Sequence, residues 1–222
     1  MSKRDLMLDF AILVSWQSDT LLRYCGRESI SSGVCYLMNN LVSEIFYQLR
    51  YGLPLWFLSM ITAWLPDMGP IIRMRGLLVS LFLPGRPKRL TLGRDVTLLC
   101  ADRIFVGNDV YAAKGVWLNG IGGLTIQDQV VIGPYVVISS TNHGFRDGSV
   151  RFGGGHPAPI KIGTGTWLAS HVVVAAGVII GPGNLIAANS VVTKSTPPHS
   201  VIGGVPAKYL GVRRDNPSSI LS

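Results

Sequence analysis

Counting in sixes from Ile162 reaches Leu168, Val174, Ile180, Ile186 and Val192, and every position is aliphatic. The residue after each is small or short: Gly163, Ala169, Ala175, Gly181, Ala187, then Thr193. The same step recurs upstream in shorter runs. Leu92 leads to Leu98, Val106 to Ala112 and Leu118, and Ile126 to Ile132 and Ile138, with Gly93, Gly107 and Gly133 again following their aliphatic partners. Between runs the phase slips by two residues, as a corner insertion would produce. A six-residue period does not hold to one face of a helix, and a single strand running from Ile162 to Val192 would be far longer than strands in globular proteins. The period fits the inner wall of a coil whose sides are each one short strand. Stacked coils bury a continuous aliphatic column, each side chain contributing roughly 1.5–3 kcal/mol. No coil is stable alone, so the unit is a solenoid. A β-sandwich with chance spacing would have to produce six consecutive hits.

The small residue beside each aliphatic one is expected to let the chain turn its corner. Glycine is abundant, at 26 of 222 residues, and charged residues make up only 14%, which suits a turn-rich fold rather than a helix bundle. The formal charge of +8 favours anionic partners. Aromatic residues do not alternate with basic ones as in a base-stacking platform, so nucleic acid is not expected. Cys25, Cys35 and Cys100 show no metal spacing, and their odd number fits a reducing compartment. The opening MSKRDLMLDFAILVSW sets basic residues before apolar ones. Asp5 and Asp9 interrupt it and no cleavage site follows, so a signal peptide is not expected.

The chain divides near residue 90. Residues 1–89 read as an apolar, basic extension predicted to be helical, 90–213 as the solenoid, and 214–222 as a tail. Within the extension, LPLWFLSMITAWLP (Leu53 to Pro66) and IIRMRGLLVSLFLP (Ile71 to Pro84) are too short to span a bilayer. Two readings stay open for residues 41–90. One is a pair of helices packed on the main domain. The other is an interfacial anchor, with Trp56 and Trp64 among headgroups and Arg73, Arg75, Arg86, Lys88 and Arg89 on anionic lipid. Residues 1–40 carry little that can be read.

Inside the solenoid, SSTNHGFRDGSV (Ser139 to Val150) breaks the pattern. Between Ile138 and Ile162 no coil position is needed, so a loop over 141–158 must leave the coil. After it come PIKIGTGTWLASHVVVAAGVIIG, AANSVVTK and GGVPAKYL. A histidine-bearing loop followed by these runs resembles the hexapeptide-repeat acetyltransferases, in the branch that acetylates sugar hydroxyls, such as galactoside and maltose acetyltransferases. The resemblance covers about residues 90–213. It implies a mainly β fold, a left-handed parallel β-helix. The left hand comes from the resemblance alone, since ordinary crossover rules favour the right. It also implies a homotrimer with active sites between subunits, and acetyl-CoA as co-substrate with no metal.

Residue by residue, the resemblance makes His143 the general base. An imidazole titrating near neutrality can accept the proton of an alcohol as it attacks a thioester. Ser170 is implied to offer its backbone N–H beside the acetyl group. Trp167 is implied to wall the site, or else to lie at a trimer contact. Asn119 is implied to hold the acceptor, or else to brace the coil through side-chain hydrogen bonds. Ala188 and Thr193 match positions along the pantetheine arm. Lys194 and Lys208 match positions near the nucleotide phosphates, with Arg213 a weaker candidate.

Several residues depart from the pattern. Ala169 stands for a glycine, AAN for G-A-G (with Asn189 expected to supply the left-handed turn), and Ser195 for an acidic residue. His171 and His199 read as structural, and His156 as a second histidine able to approach the cleft. The expected function is transfer of an acetyl group to a sugar hydroxyl in surface polysaccharide or glycan biosynthesis, in the cytoplasm or at the inner face of the membrane. The alternatives are acetylation of a small xenobiotic, a zinc-dependent carbonic anhydrase built on the same fold, and a non-catalytic solenoid. The anhydrase needs a close histidine pair on adjacent coils, which His143, His156 and His171 do not supply.

Overall fold

A computed structural model of the chain describes residues 41–214. The readings made on the first forty residues, on Cys25 and Cys35 and on residues 215–222 lie outside that range. The chain falls into two compact units, Met1–Arg50 and Tyr51–Ser222. In the first, residues 41–47 are helical. The second holds two helices, α1 (Leu53–Thr62) and α2 (Gly69–Ser80), and then a β-helix of about six turns.

The coils contribute short strands to three parallel sheets, the last coils to fewer than three. The first face stacks Thr91–Leu92, Tyr111–Ala112, Val131–Ile132, Trp167–Leu168, Leu185–Ile186 and Ser200–Gly203. The second stacks Thr97–Leu99, Trp117–Asn119, Val137–Ser139, Val173–Val174 and Val191–Val192. The third stacks Ile104–Val106, Leu124–Ile126, Ile160–Ile162 and Ile179–Ile180. Lys208–Val212 turns back antiparallel on Ser200–Gly203 and closes the first face.

The aliphatic column expected from the six-residue step is the core. Twelve of its fourteen members are buried, and Leu98 and Val106 pack against the rest. A second inward column stands two residues before it, with Val110, Val116, Val130, Val136, Val172 and Val178 all buried. Towards the C-terminus this second column turns polar. Thr166, Asn184, Ser190 and Ser200 are buried and hydrogen-bonded, Asn184 Nδ2 donating to Thr196 Oγ1 at 2.7 Å and Asn184 Oδ1 accepting from Ser200 N at 2.8 Å. Buried amide groups need such partners.

The small residue after each aliphatic one has a different task from the one expected. The corner is turned two residues later, by a residue in the left-handed region: Asp95, Asp109, Gln129, Tyr135, His171 and Asn189 have φ between 58° and 60°. Asn189 therefore does supply the left-handed turn. The small residue is needed because the next coil's backbone passes over it. A Cβ on Gly163 would stand 2.4 Å from Pro182 N, and one on Gly93 2.5 Å from Lys114 N.

Helix α2 lies against the opening of the first coil. A Cβ on Gly76 would meet the Leu90 carbonyl at 1.8 Å, so only glycine permits this approach. Beside it Arg75 is 5% exposed. Its Nη1 donates to Asp67 Oδ1 at 2.5 Å, and its Nη2 to the Thr62 and Leu65 carbonyls at 3.0 and 2.6 Å. Asp67 in turn accepts from the Arg94 N–H at 3.0 Å. Arg75 thus joins the end of α1 to the first coil. This takes Arg75 out of the interfacial-anchor reading, because its guanidinium donates to groups inside the protein. Arg89 is paired with Asp109, whose carboxylate accepts from it at both oxygens. That hydrogen bond holds Asp109 below the usual carboxylate range and raises Arg89.

Candidate active site

The third coil departs from the solenoid at the edge between the second and third faces. The same edge carries the short insertions of the first two coils, at Ala101–Arg103 and around Gly120–Gly123. In the third coil the insertion grows into an antiparallel hairpin, Thr141–His143 against Gly155–Pro157, whose strands pair only with each other. Ser140, fully buried, anchors its root. Its Oγ donates to the Asn119 carbonyl at 2.7 Å and accepts from the Gly122 N–H at 2.8 Å. The other end is tied where the Ala158 N–H reaches the Ser140 carbonyl at 2.9 Å.

His143 is exposed and stands opposite Gly155. Alternation along a strand puts Asn142, Gly144 and His156 on the opposite side of the ribbon. Consistent with this, a Cβ on Gly144 would meet His156 Nε2 at 2.3 Å. The two histidines of the hairpin therefore point to different sides. His171, read as structural, lies at a left-handed corner of the coil. It is an exposed corner residue stacked on Tyr135 with ring centroids 5.3 Å apart. His199 is likewise a left-handed corner, its ring against Gly183. Among the described residues no three His, Cys, Asp or Glu side chains gather as a metal-ligand set.

The remaining candidates sort onto two edges. At the edge between the first and second faces stand Ser170 and, one coil on, Ala188. The coils are joined there by the Asn189 N–H donating to the Ser170 carbonyl at 3.0 Å. The next coil adds Gly204, whose carbonyl accepts from Val191 N at 3.0 Å, and then Lys208, opposite Gly203. Trp167 projects from the first face just before this edge and is half exposed. At the other edge, in line with the hairpin, stand Thr193 and Lys194, both exposed. Within one chain, His143 and Ser170 thus belong to different edges of the prism. Lys194 and Lys208 are exposed and make no ion pair among the described residues.

Asn119 is nearly buried, and its Oδ1 accepts from the Ile121 N–H at 3.0 Å, which braces the corner. Beside the hairpin root lies an open groove of about 500 Å³, lined by Asp102, Arg103, Phe105, Ile121 and Pro157. Arg103 Nη1 donates to the Ile121 carbonyl at 2.9 Å, and the Phe105 ring is half exposed. Sequence reading missed this groove. Its one signal was that Asp102–Phe105 falls at the same point of the coil as the loop.

Comparison with known proteins agrees with this architecture. Residues 159–194 match the family described as bacterial transferase hexapeptide (six repeats). Galactoside O-acetyltransferase of Escherichia coli (strain K12) is 37% identical over 107 residues, 48% of this chain and 53% of that protein. The chain spans about half the length of this curated relative. A solved galactoside acetyltransferase in complex with coenzyme A is 27% identical, with a TM-score of 0.60 over 75% of this chain and 82% of that one. A maltose O-acetyltransferase from Clostridium difficile 630 shares the fold, with a TM-score of 0.66 at 23% identity over 75% of this chain and 88% of that one. Residues 159–194 thus carry the hexapeptide repeat of bacterial transferases, and the chain resembles the galactoside O-acetyltransferases in sequence and fold and the maltose O-acetyltransferase in fold.

Proposed function

We propose that the protein is an acetyl-CoA-dependent O-acetyltransferase acting on a sugar hydroxyl, with His143 as general base and its active site between two subunits of a homotrimer. The observation that carries this is the position of His143. It stands on a hairpin thrown out of an otherwise regular solenoid, with a glycine facing it across the ribbon.

The edge from Ser170 through Ala188 and Gly204 to Lys208 suits coenzyme A. It offers small residues where a pantetheine arm would run and a free lysine where phosphates would lie. His143 springs from the other edge of the second face, so a complete site needs that edge of one subunit against the Ser170 edge of a neighbour. The exposed Phe145 and Phe152 near the hairpin tip fit such a contact.

In the reaction, the acceptor oxygen attacks the thioester carbonyl carbon while the His143 imidazole takes the hydroxyl proton. The carbonyl oxygen gains negative charge, towards which the Ser170 N–H can donate. The intermediate collapses with loss of the carbon–sulfur bond, and the imidazolium returns the proton to the departing thiolate. The products are an acetyl ester and free coenzyme A, and no acyl-enzyme forms. The groove at Arg103 and Phe105 lies beside the hairpin root. It offers an aromatic face for a sugar ring and, in the Arg103–Asp102 pair, polar groups for its hydroxyls, which suits a glycan or nucleotide-sugar acceptor in surface polysaccharide synthesis.

The test is calorimetric titration with acetyl-CoA, with zinc in parallel, followed by release of coenzyme A in the presence of a sugar panel. Saturable acetyl-CoA binding and sugar-dependent release support the reading. Tight zinc binding without acetyl-CoA binding would replace it with the carbonic anhydrase reading.

A further inference from the structure

We infer that the outer face of α1 seats the protein flat on an anionic lipid surface. On α1, Leu53, Trp56, Phe57, Met60 and Ile61 fall at i, i+3, i+4, i+7 and i+8, which is one helical face. All five are between 40% and 59% exposed, and Trp64, one turn beyond Met60, is 78% exposed. The opposite face is already used, since Leu55 packs on the core cluster and Thr62 is buried. The helix is therefore apolar on both sides, with only one side covered by described residues. A helix apolar all round is ordinarily buried all round.

The charge around this stripe selects the occupant. Residues 51–66 carry no charge, and residues 51–94 carry six arginines and lysines against one acid, Asp67. Asp67 is spent on Arg75 and on the Arg94 N–H. Arg89 is spent on Asp109. Arg94 lies 3.9 Å from Asp95, which leaves Arg73, Arg86 and Lys88 exposed and without an acidic partner among the described residues. An apolar stripe with tryptophans on it and unpaired cations nearby matches a surface that is apolar below and anionic above. The hydrogen-bonding groups the stripe offers are the indole N–H donors of Trp56 and Trp64, which suit the headgroup level of a bilayer, while Ser59 Oγ is turned back onto the Trp56 carbonyl. Ten helical residues span only about 15 Å, half the hydrocarbon thickness, so α1 would lie in the interface rather than cross it. Both signals that stable surface binding requires, apolar burial and basic charge, are then present.

The experiment is flotation of the full chain with phosphatidylcholine vesicles and with phosphatidylcholine–phosphatidylglycerol vesicles, followed by tryptophan emission. It needs neither acceptor nor acetyl-CoA, so it stands apart from the transferase reading. The protein is expected to float with the anionic vesicles, with a blue shift in emission. Exchanging Trp56, Phe57 and Ile61 for Ser should abolish flotation while leaving the melting temperature unchanged, because these side chains are exposed. Exchanging Arg73 and Lys88 for Gln should weaken binding by roughly tenfold or more, as added salt should. The inference is overturned if the wild-type chain stays with the soluble fraction in both vesicles. It is equally overturned if the triple Ser variant floats unchanged, or if that variant only alters the oligomeric state, which would give the face to a second copy of the chain.

Discussion

His143 and Gly155 face each other across the hairpin, so the one exposed histidine on its side of the ribbon has no side chain directly opposite it. This opposition predicts two separable effects. His143→Ala should lower turnover by about 10²–10⁴-fold while acetyl-CoA affinity and melting temperature hold. A Cβ on Gly155 would touch nothing closer than Thr141 Oγ1 at 3.5 Å, so a side chain fits there without disturbing the fold. Gly155→Val should therefore fold normally and still impair transfer by covering the imidazole. Steady-state kinetics beside thermal melts check both. Near-wild-type turnover in His143→Ala would remove the general base.

Arg75 carries three hydrogen bonds in a buried place, and Asp67 passes the connection on to the first coil. Removing one partner of such a pair strands the other groups. Arg75→Ala should cost about 3 kcal/mol, at the low end for a buried pair because Asp67 is one-third exposed and can hydrate. Urea denaturation measures this. Arg73→Ala, on the exposed side of α2, should change the urea midpoint little, because its side chain is solvated.

Glycines in the coils answer to two different constraints, and paired substitutions separate them. Gly163→Ala would drive a Cβ into the backbone of the next coil, at 2.4 Å from Pro182 N. Overpacking of this kind costs about 1–3 kcal/mol, and backbone yields less readily than side chains. Gly165 has φ of 66° with nothing within 4 Å of its Cβ position, so Gly165→Ala should cost only about 1–2 kcal/mol of left-handed strain. Chemical denaturation of the two variants should rank them in that order.

The contrast also shows what the sequence could carry. The step from Ile162 to Val192 was legible because one aliphatic side chain per strand must point inward whatever else changes. The second column was not, because its members shift from Val172 and Val178 to Asn184, Ser190 and Ser200 once hydrogen bonds can replace apolar contact. Left-handed corners were hidden for a similar reason. Asp95, Gln129, Tyr135 and His171 share a backbone conformation and no side-chain chemistry. Arg75 read as a surface cation because nothing in IIRMRG distinguishes the buried arginine from Arg73 beside it. The hairpin was legible as an interruption. That the Asn119 carbonyl braces its root, accepting from Ser140 Oγ, depends on a neighbouring coil that no local pattern records.

Lys208 stands at the end of the edge that begins at Ser170. If phosphates of coenzyme A lie there, Lys208→Ala should weaken acetyl-CoA binding by about tenfold, the scale of one charge-assisted contact. The same change should matter less for a coenzyme lacking its 3′-phosphate if that phosphate is the partner. Lys161, exposed on the third face, serves as the control, and Lys161→Ala should leave affinity unchanged. Calorimetry distinguishes these outcomes. Equal losses for both lysines would mean only a change in net charge.

The placement of His143 and Ser170 on different edges makes the strongest demand, because a site completed between subunits must be divisible between them. One variant loses the base, His143→Ala. The other blocks the cofactor edge, Ala188→Trp, at an exposed position where the bulk is tolerated by the fold. Each homotrimer should be inactive. Unfolding and refolding the two together at equal amounts produces mixed trimers, in which about a quarter of interfaces pair an intact His143 from one subunit with an intact Ala188 from its neighbour. About a quarter of wild-type turnover should return. Ala188 lies one coil from Ser170 and shares its edge, so the recovered fraction reports directly on which subunit supplies each half. No recovery, with mixed trimers present by mass measurement, would place the whole site within one chain.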